Sequence, residues 1–157
     1  MLRIAKDEKI ILIRYSDMFG YDTIQEHINI INNLGYCYFG KVGKKTSSMH
    51  LKELLESKEP KIILNSKKEA YIAIVDDIVF EKPENGYPKY YENELFSKNN
   101  YPSMYYRLKN ILKFDKKYFS SFVVNSSINP LPQSLNQSMT SQLLVRAEQN
   151  INLEEDE

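Results

Sequence analysis

A strand–helix–strand pattern between residues 9 and 42 constrains the fold of this chain more than any other feature. Residues 9–15 form a short apolar run of the kind that builds a buried strand. Asp22, with a glutamine three residues later, can cap a helix over residues 23–34, and Gly35 supplies its C-terminal stop. The aromatic segment 36–42 follows at once and favours a second strand. The pattern therefore predicts a domain that contains both strands and helices.

Weaker patterns predict the elements of the remaining chain. These are a short helix capped by Ser47 or Ser48, strands over 61–65, 70–80, 105–114 and 118–124, and a C-terminal helix over 139–149. Between residues 81 and 102, four tyrosines stand among prolines and a glycine, which predicts a long excursion. Residues 125–137 are rich in Ser, Asn and Pro, and we expect a loop there.

These elements divide the chain into three predicted segments. Residues 1–124 form one folded domain, residues 125–150 form a loop and a C-terminal helix that packs on the domain or on a partner, and residues 151–157 form an acidic disordered tail. The chain has 157 residues, of which 42% are hydrophobic and 27% are charged, and this composition suits a single domain with its own core.

Charge and cysteine content narrow the expected partners and compartment. The net charge is zero, which argues against a protein that holds duplex nucleic acid mainly by charge, although residues 1–153 carry a net +4. Cys37 is the only cysteine, so no internal disulfide can form. No apolar run resembles a signal peptide or approaches the roughly 20 residues that span a bilayer. We expect a cytoplasmic protein with no membrane partner.

The segment 35–45 carries the strongest functional signal. Tyr36 and Tyr38 share one face of the predicted strand, where bases can stack on their rings. Three lysines that can meet phosphate oxygens follow: Lys41, Lys44 and Lys45. The pattern favours a nucleic-acid interface in which the rings open onto a solvent-filled hollow bordered by ammonium groups. Core packing is the more frequent role of aromatic residues in such strands, and both interpretations stay open.

Arg107 is a second candidate contact for a nucleic-acid backbone. It lies in the predicted strand 105–114, where apolar and basic residues alternate. Such a strand can line a track of phosphates, but the same alternation is typical of a solvated face that serves solubility alone.

Catalytic and metal-binding patterns are not found in this sequence. His27, Cys37 and His50 lack the spacing of a zinc site. Asp76 and Asp77 are adjacent on a predicted strand, so their carboxylates point to opposite faces and cannot work as an acid–base pair. We therefore expect neither an enzyme, nor a bound metal, nor a cofactor.

The order of predicted elements resembles the small mixed β-barrels of the PUA-like superfamily, which includes PUA, ASCH, EVE and YTH-type domains. Two pieces carry the resemblance. One is the unit 10–45, in which a strand, a helix and an aromatic strand end in basic residues. The other is the strand 71–80 followed by the run Tyr105-Tyr106-Arg107-Leu108. The resemblance implies an α+β fold, a small mixed β-barrel flanked by helices.

The resemblance also implies a site. In EVE and YTH-type domains an everted and often modified base is held in an aromatic pocket beside the helix and the strand that follows it. Transferred to this sequence, Tyr36 and Tyr38 take the pocket positions, and Ser16 becomes a polar contact to the base. The resemblance implies a role in RNA handling or in modification-dependent defence against foreign DNA.

Two functional hypotheses follow. The first is a non-enzymatic nucleic-acid-binding domain, for RNA or DNA, that reads a modified or everted base in the aromatic pocket. The second is a protein–protein interaction module that uses the tyrosine-rich loop and the C-terminal helix, since exposed tyrosines are common at protein interfaces.

Overall fold

The computed structural model describes residues 2–153. Its strands are β1 (Leu2–Ile4), β2 (Lys9–Arg14), β3 (Cys37–Lys41), β4 (Lys61–Asn65), β5 (Ala70–Val79), β6 (Met104–Phe114), β7 (Phe122–Val124), β8 (Gln142–Ala147) and β9 (Ile151–Leu153). Its α-helices are α1 (Thr23–Leu34), α2 (Ser48–Leu54), α3 (Tyr90–Glu94) and α4 (Leu131–Gln137), and there are two short 3₁₀ helices, Phe96–Lys98 and Lys116–Ser121. The described chain forms two compact units, and β5 and β6 have residues in both of them.

The first unit contains residues 2–15, 48–72 and 112–153. Its central strand is β2, which runs parallel to β4 and antiparallel to β8, while β7 pairs with the other side of β8. The four residues 10–13 of β2 are all buried. A strand with neighbours on both sides and both faces covered reads as a continuous apolar run, which is the pattern that the sequence shows here.

The second unit contains residues 16–47 and 73–111. Its strand order is β3–β6–β5, and β3 pairs antiparallel with β6, so that Tyr38 lies opposite Arg107. The helix α1 packs on β3. Both of its predicted ends are confirmed, since Asp22 accepts a hydrogen bond from the Gln25 backbone N–H and Gly35 adopts the left-handed conformation at the C-terminus.

The predicted closed barrel is not found in residues 2–153. Among these residues the edge strand β3 has a sheet neighbour only in β6, and β7 has one only in β8. The fold is mixed α and β, as predicted, but its large sheet is open.

The predicted C-terminal helix over 139–149 is wrong, because most of this segment is strand β8. The helix prediction rested on apolar residues four apart at positions 139, 143 and 147, but Met139 is 89% exposed. Residues 142–146 instead pair with β2, Leu143 opposite Leu12, and this burial outweighs a weak helical spacing. The helix α4 forms earlier, in the predicted loop, with a proline in its first turn where proline is tolerated.

Two other predictions need correction, one in the C-terminal tail and one in the segment 118–124. Residues 151–153 of the predicted disordered tail form β9, which pairs antiparallel with β1, while residues 154–157 lie outside the described residues. The predicted strand 118–124 is a strand only over its last three residues and begins as a 3₁₀ helix.

Candidate nucleic-acid interface

The predicted excursion 81–102 is an ordered segment of the second unit that packs against its sheet. It carries α3 and the 3₁₀ helix Phe96–Lys98. Its tyrosines enter a buried cluster that consists of Tyr87, Tyr90, Tyr91, Leu95, Phe96 and Tyr105, against which Tyr38 packs. Three of the four tyrosines in this segment are therefore core residues, and Tyr101, at 49% exposure, is the one that faces solvent. The interaction-module hypothesis thereby loses most of its exposed tyrosines as well as its C-terminal helix.

The same segment covers the free edge of β3. The Tyr38 N–H donates to the Gly86 carbonyl at 2.6 Å, and the Gly40 N–H donates to the Tyr91 hydroxyl at 3.0 Å. A Cβ on Gly40 would stand 2.7 Å from Cγ of Pro102, so glycine permits a close approach of the two segments here. Pairing these outward N–H groups removes an edge that would otherwise pair with another chain.

His27 joins α1 to this edge through an ordered chain of hydrogen bonds. Its Nδ1 lies 2.7 Å from the Thr23 carbonyl, which can only accept, so Nδ1 carries the proton. Its Nε2 lies 2.7 Å from the Tyr91 hydroxyl, which therefore donates to it. Burial lowers the pKa of His27 to about 4, so the ring is neutral. His27 is a structural residue with both nitrogens satisfied.

Tyr36 lies at the surface of the second unit with a cation on its face. The Arg107 guanidinium carbon is 4.1 Å from the centre of the Tyr36 ring, and Arg107 Nε is 3.7 Å from a carboxylate oxygen of Asp76. The Tyr36 hydroxyl donates to the side-chain oxygen of Asn85 at 3.2 Å. The structure thus brings together two predicted site residues that lie far apart in sequence, Tyr36 and Arg107.

No slot for a base is open between the rings of Tyr36 and Tyr38, the two predicted pocket residues. The two rings meet edge to face with centroids 5.8 Å apart, whereas a base sandwiched between parallel rings needs about 7 Å. The backbone of Gly86 also fills this place, because a Cβ there would lie 2.7 Å from Tyr36 and 3.1 Å from Tyr38. The two tyrosines pack on each other and on Gly86, and no hollow separates them.

The three predicted lysines have different surroundings. Lys41 is only 4% exposed, and its ammonium donates to the Lys44 carbonyl at 2.5 Å, while burial lowers its pKa. This ammonium closes the turn after β3 and does not border a hollow. Lys44 and Lys45 are exposed, and Lys45 Nζ lies 5.6 Å from the centre of the ring of Phe80, which is 52% exposed.

The helix α1 separates Ser16 from Tyr36, because the two residues lie beyond its opposite ends. It lies before the helix, where its carbonyl accepts from the Thr23 hydroxyl at 3.3 Å. Tyr36 follows the other end of the 12-residue helix, about 18 Å away along the axis. The Ser16 side chain is exposed, but it belongs to the turn before α1 and not to the surface around Tyr36.

The structure also places a cation beside the exposed ring of Phe19, which no pattern in the sequence indicates. Phe19 lies in the turn before α1, and Lys98 Nζ is 5.6 Å from its ring centre. We call three contacts the aromatic–cation pairs: Arg107 with Tyr36, Lys45 with Phe80, and Lys98 with Phe19. The members of each pair lie far apart in sequence, so no local motif could have revealed them.

The first unit contains a cleft of about 480 Å³ that the sequence analysis did not anticipate. Its lining carries cations and carboxylates together, and the buried Lys61 ammonium pairs with Glu8 at 2.8 Å. Because Glu8 also accepts from the Ser57 hydroxyl at 3.1 Å, the buried charges in the lining are already paired within the protein. The lining has no excess of one charge that would select an ion.

Residues 2–153 contain no helix long and apolar enough to cross a membrane. Within the same residues no group of three or more His, Cys, Asp or Glu side chains is arranged to hold a metal ion.

The fold and the surface described above define an α+β domain with an open mixed sheet and an aromatic second unit. The Pua-like family model matches residues 11–150, which is most of the chain, and the protein therefore belongs to the PUA-like family. This confirms the resemblance on which the fold prediction rested. Neither the curated proteins nor the solved structures contain a match to this chain.

Proposed function

We propose that this PUA-like protein is a non-enzymatic binder of single-stranded RNA or DNA, and that two of the aromatic–cation pairs, Arg107 with Tyr36 and Lys45 with Phe80, contact the nucleic-acid strand. The observation that carries the proposal is the repeated placement of a lysine or arginine beside a ring at the surface. A nucleobase can stack on such a ring while the cation meets the flanking phosphate. PUA-like domains generally bind RNA, which supports the same partner class.

Arg107 and Tyr36 form the centre of the proposed surface. Arg107 lies in β6, and Tyr36 directly precedes β3, the strand that pairs with β6, so the relative position of the two side chains is set by the sheet before binding. Asp76 holds the arginine at 3.7 Å, which limits how many phosphate contacts this guanidinium can make. The stacked plane of ring and guanidinium is therefore proposed to contact a base, and the exposed Lys44 and Lys45 to contact the backbone.

The charge of the second unit argues for a short, stacking-dominated contact. By sequence this unit has eight lysines and arginines against nine acidic residues. A protein that neutralises many phosphates needs an excess of positive charge, and this unit has none. We propose two or three phosphate contacts and an affinity that depends mainly on stacked bases.

We also propose that the protein recognises a modified or everted base in the bound strand. It cannot use a slot between Tyr36 and Tyr38 while Gly86 stands there, so such a base would have to stack on an exposed ring of the aromatic–cation pairs. Comparing methylated with unmodified oligonucleotides of one sequence tests this form separately.

A salt titration of binding tests the proposal. The probe is a fluorescein-labelled 12-nucleotide single strand, as RNA and as DNA. Its anisotropy is measured between 25 and 200 mM salt, because the affinity falls over such a range in proportion to the number of phosphate contacts. In the variant with Lys44 and Lys45 changed to Ala, we expect weaker binding and a slope of log K against log salt that is smaller by about 1.4, because each lost contact to a single strand removes about 0.7.

A matched control is available in the first unit. Lys67 and Lys68 are also adjacent and exposed, so changing both to Ala alters the net charge equally. We expect this control to bind like the wild type. Equal losses in both double variants would show that only net charge matters, and an absence of binding to either single strand by the wild type would refute the proposal.

A further inference from the structure

The turn before α1 presents apolar side chains to solvent in a way that the fold does not require. Met18, Phe19 and Tyr21 are 50%, 43% and 38% exposed. Phe19 has a φ of 60° and Gly20 a φ of 80°, and the Tyr21 N–H donates to the Met18 carbonyl at 3.1 Å. This is the pattern of a type I′ turn, whose central positions favour Asn-Gly.

Phenylalanine is a poor choice for the left-handed region. A bulky residue with positive φ is rare, because the strain lowers the stability of the folded state. Such a residue persists where another requirement keeps it there. Packing accounts for Phe19 only in part, because the residue is 43% exposed. Strain of this kind, on an exposed ring, points to a functional requirement for the ring itself.

The base of this turn is held firmly, so the exposed ring has a defined position. The Thr23 N–H donates to the Asp17 carboxylate at 3.0 Å, and Asp22 caps the helix. The Tyr21 ring stacks on the buried Tyr90 with centroids 4.7 Å apart. A preorganised ring loses little entropy when a flat ligand stacks on it.

The charges around Phe19 favour a nucleotide over an apolar protein segment. Lys98 Nζ lies 5.6 Å from the centre of the Phe19 ring, and its ion pair with Glu94 is long, at 3.5 Å, with the lysine 60% exposed. An exposed ion pair of this kind is weak, so the ammonium is free to turn to a phosphate. The carboxylates of Asp17 and Asp22 repel phosphates. We therefore expect a base of the bound nucleic acid, and not its phosphate backbone, to face the turn.

We propose that Phe19 is a stacking residue for an unpaired base of the bound single strand, and that Lys98 contacts the phosphate beside that base. The inference rests on the proposed function and adds to it a contact that lies before α1, away from Tyr36 and Arg107. The turn's left-handed phenylalanine is kept for this contact at the expense of folding stability.

The substitution Phe19→Asn tests the inference because it should move stability and binding in opposite directions. Asparagine tolerates positive φ and creates the favoured Asn-Gly pair, so the unfolding temperature should rise by about 2–4 °C. Loss of the ring should weaken binding of the labelled single strand about 5- to 150-fold, the range for one stacked base. Phe19→Tyr keeps a ring and should keep the affinity.

Ile128 provides the matched control. It has a φ of 61° and is 63% exposed, but it lies in the first unit. Ile128→Asn should raise the unfolding temperature in the same way and leave binding unchanged. If Phe19→Asn binds the single strand as tightly as the wild type does, or no more weakly than Ile128→Asn does, the inference is overturned.

Photocrosslinking provides a second readout that does not depend on stability. A single strand with 5-iodouridine should form an adduct at Phe19 or Tyr21, detected by mass spectrometry of the digested complex. If adducts form only on the Tyr36 and Phe80 surface, the inference fails while the proposed function stands. If the wild type binds no single strand, both fail.

Discussion

The buried histidine makes the stability of this protein depend on pH in a range where few other groups titrate. His27 has no exposed surface, and burial lowers its pKa from the ordinary 6.5 to about 4. Between these two values the unfolded chain binds a proton that the folded chain does not bind. The free energy of unfolding must therefore fall as the pH decreases through this range.

The magnitude follows from the two pKa values. The full effect is about 3 kcal/mol, and about 2 kcal/mol of it should be lost between pH 7.5 and pH 5.0, before most carboxylates are protonated. Urea unfolding followed by far-ultraviolet circular dichroism at these two pH values measures this loss.

The variant His27→Gln separates this effect from the other titrating groups. It lacks the imidazole but keeps His50 and every carboxylate, so its stability should change about 2 kcal/mol less than that of the wild type between pH 7.5 and 5.0. Because the chain has two histidines, nuclear magnetic resonance can also follow each ring separately. The reasoning is refuted if His27 titrates near pH 6.5, or if the variant loses as much stability as the wild type.

Two further predictions concern stability. Gly40→Ala should destabilise the protein by about 1–3 kcal/mol, because the new methyl group would stand 2.7 Å from Pro102 and 3.2 Å from Tyr91, and a change below 0.5 kcal/mol in urea unfolding would contradict this. Lys61→Met should lower the free energy of unfolding by about 3–5 kcal/mol, because it leaves the Glu8 side chain, which is 7% exposed, without its cation. Lys58→Met, at an exposed position, should lower it by less than about 0.5 kcal/mol. Similar losses of the two variants in thermal unfolding would count against the buried ion pair.

The local signals in the sequence were sufficient for the elements whose ends and burial are set by nearby residues. The helix α1 has a capping aspartate, a periodic apolar face and a terminal glycine, and it forms where predicted. The strand β2 is a continuous apolar run because it is central, and its pattern is equally direct. The family membership predicted from the order of these elements is also confirmed.

The errors occur where distant residues decide the structure. Residues 142–147 form a strand because they pair with β2, and the local spacing of apolar residues does not indicate this pairing. The segment 81–102 reads as a polar excursion, yet its tyrosines pack on each other and on Tyr105. For the candidate site, the alternation along β3 correctly placed Tyr38 on the face opposite the buried Phe39, but it could not show that Gly86 fills the place between Tyr36 and Tyr38.

Lys41 and Phe19 are two further residues whose surroundings could not be predicted from the sequence. A lysine that follows an aromatic strand reads as a phosphate contact, but Lys41 falls on the buried face of β3 and bonds a carbonyl. Phe19 reads as an ordinary turn residue, and only its φ of 60° and its exposure mark it. Backbone conformation and solvent exposure are properties of the folded chain, so neither residue could be assigned from sequence.

The most direct test of the central claim is to map where a single strand contacts the protein. The measurement is a titration of the ¹⁵N-labelled protein with a 12-nucleotide RNA, followed by amide chemical-shift changes. The account predicts that the largest changes fall in residues 18–21, 36–45, 80–86, 98 and 107 of the second unit. Changes confined to residues 2–15, 48–72 and 112–153, or no changes at saturating RNA and DNA, would contradict it.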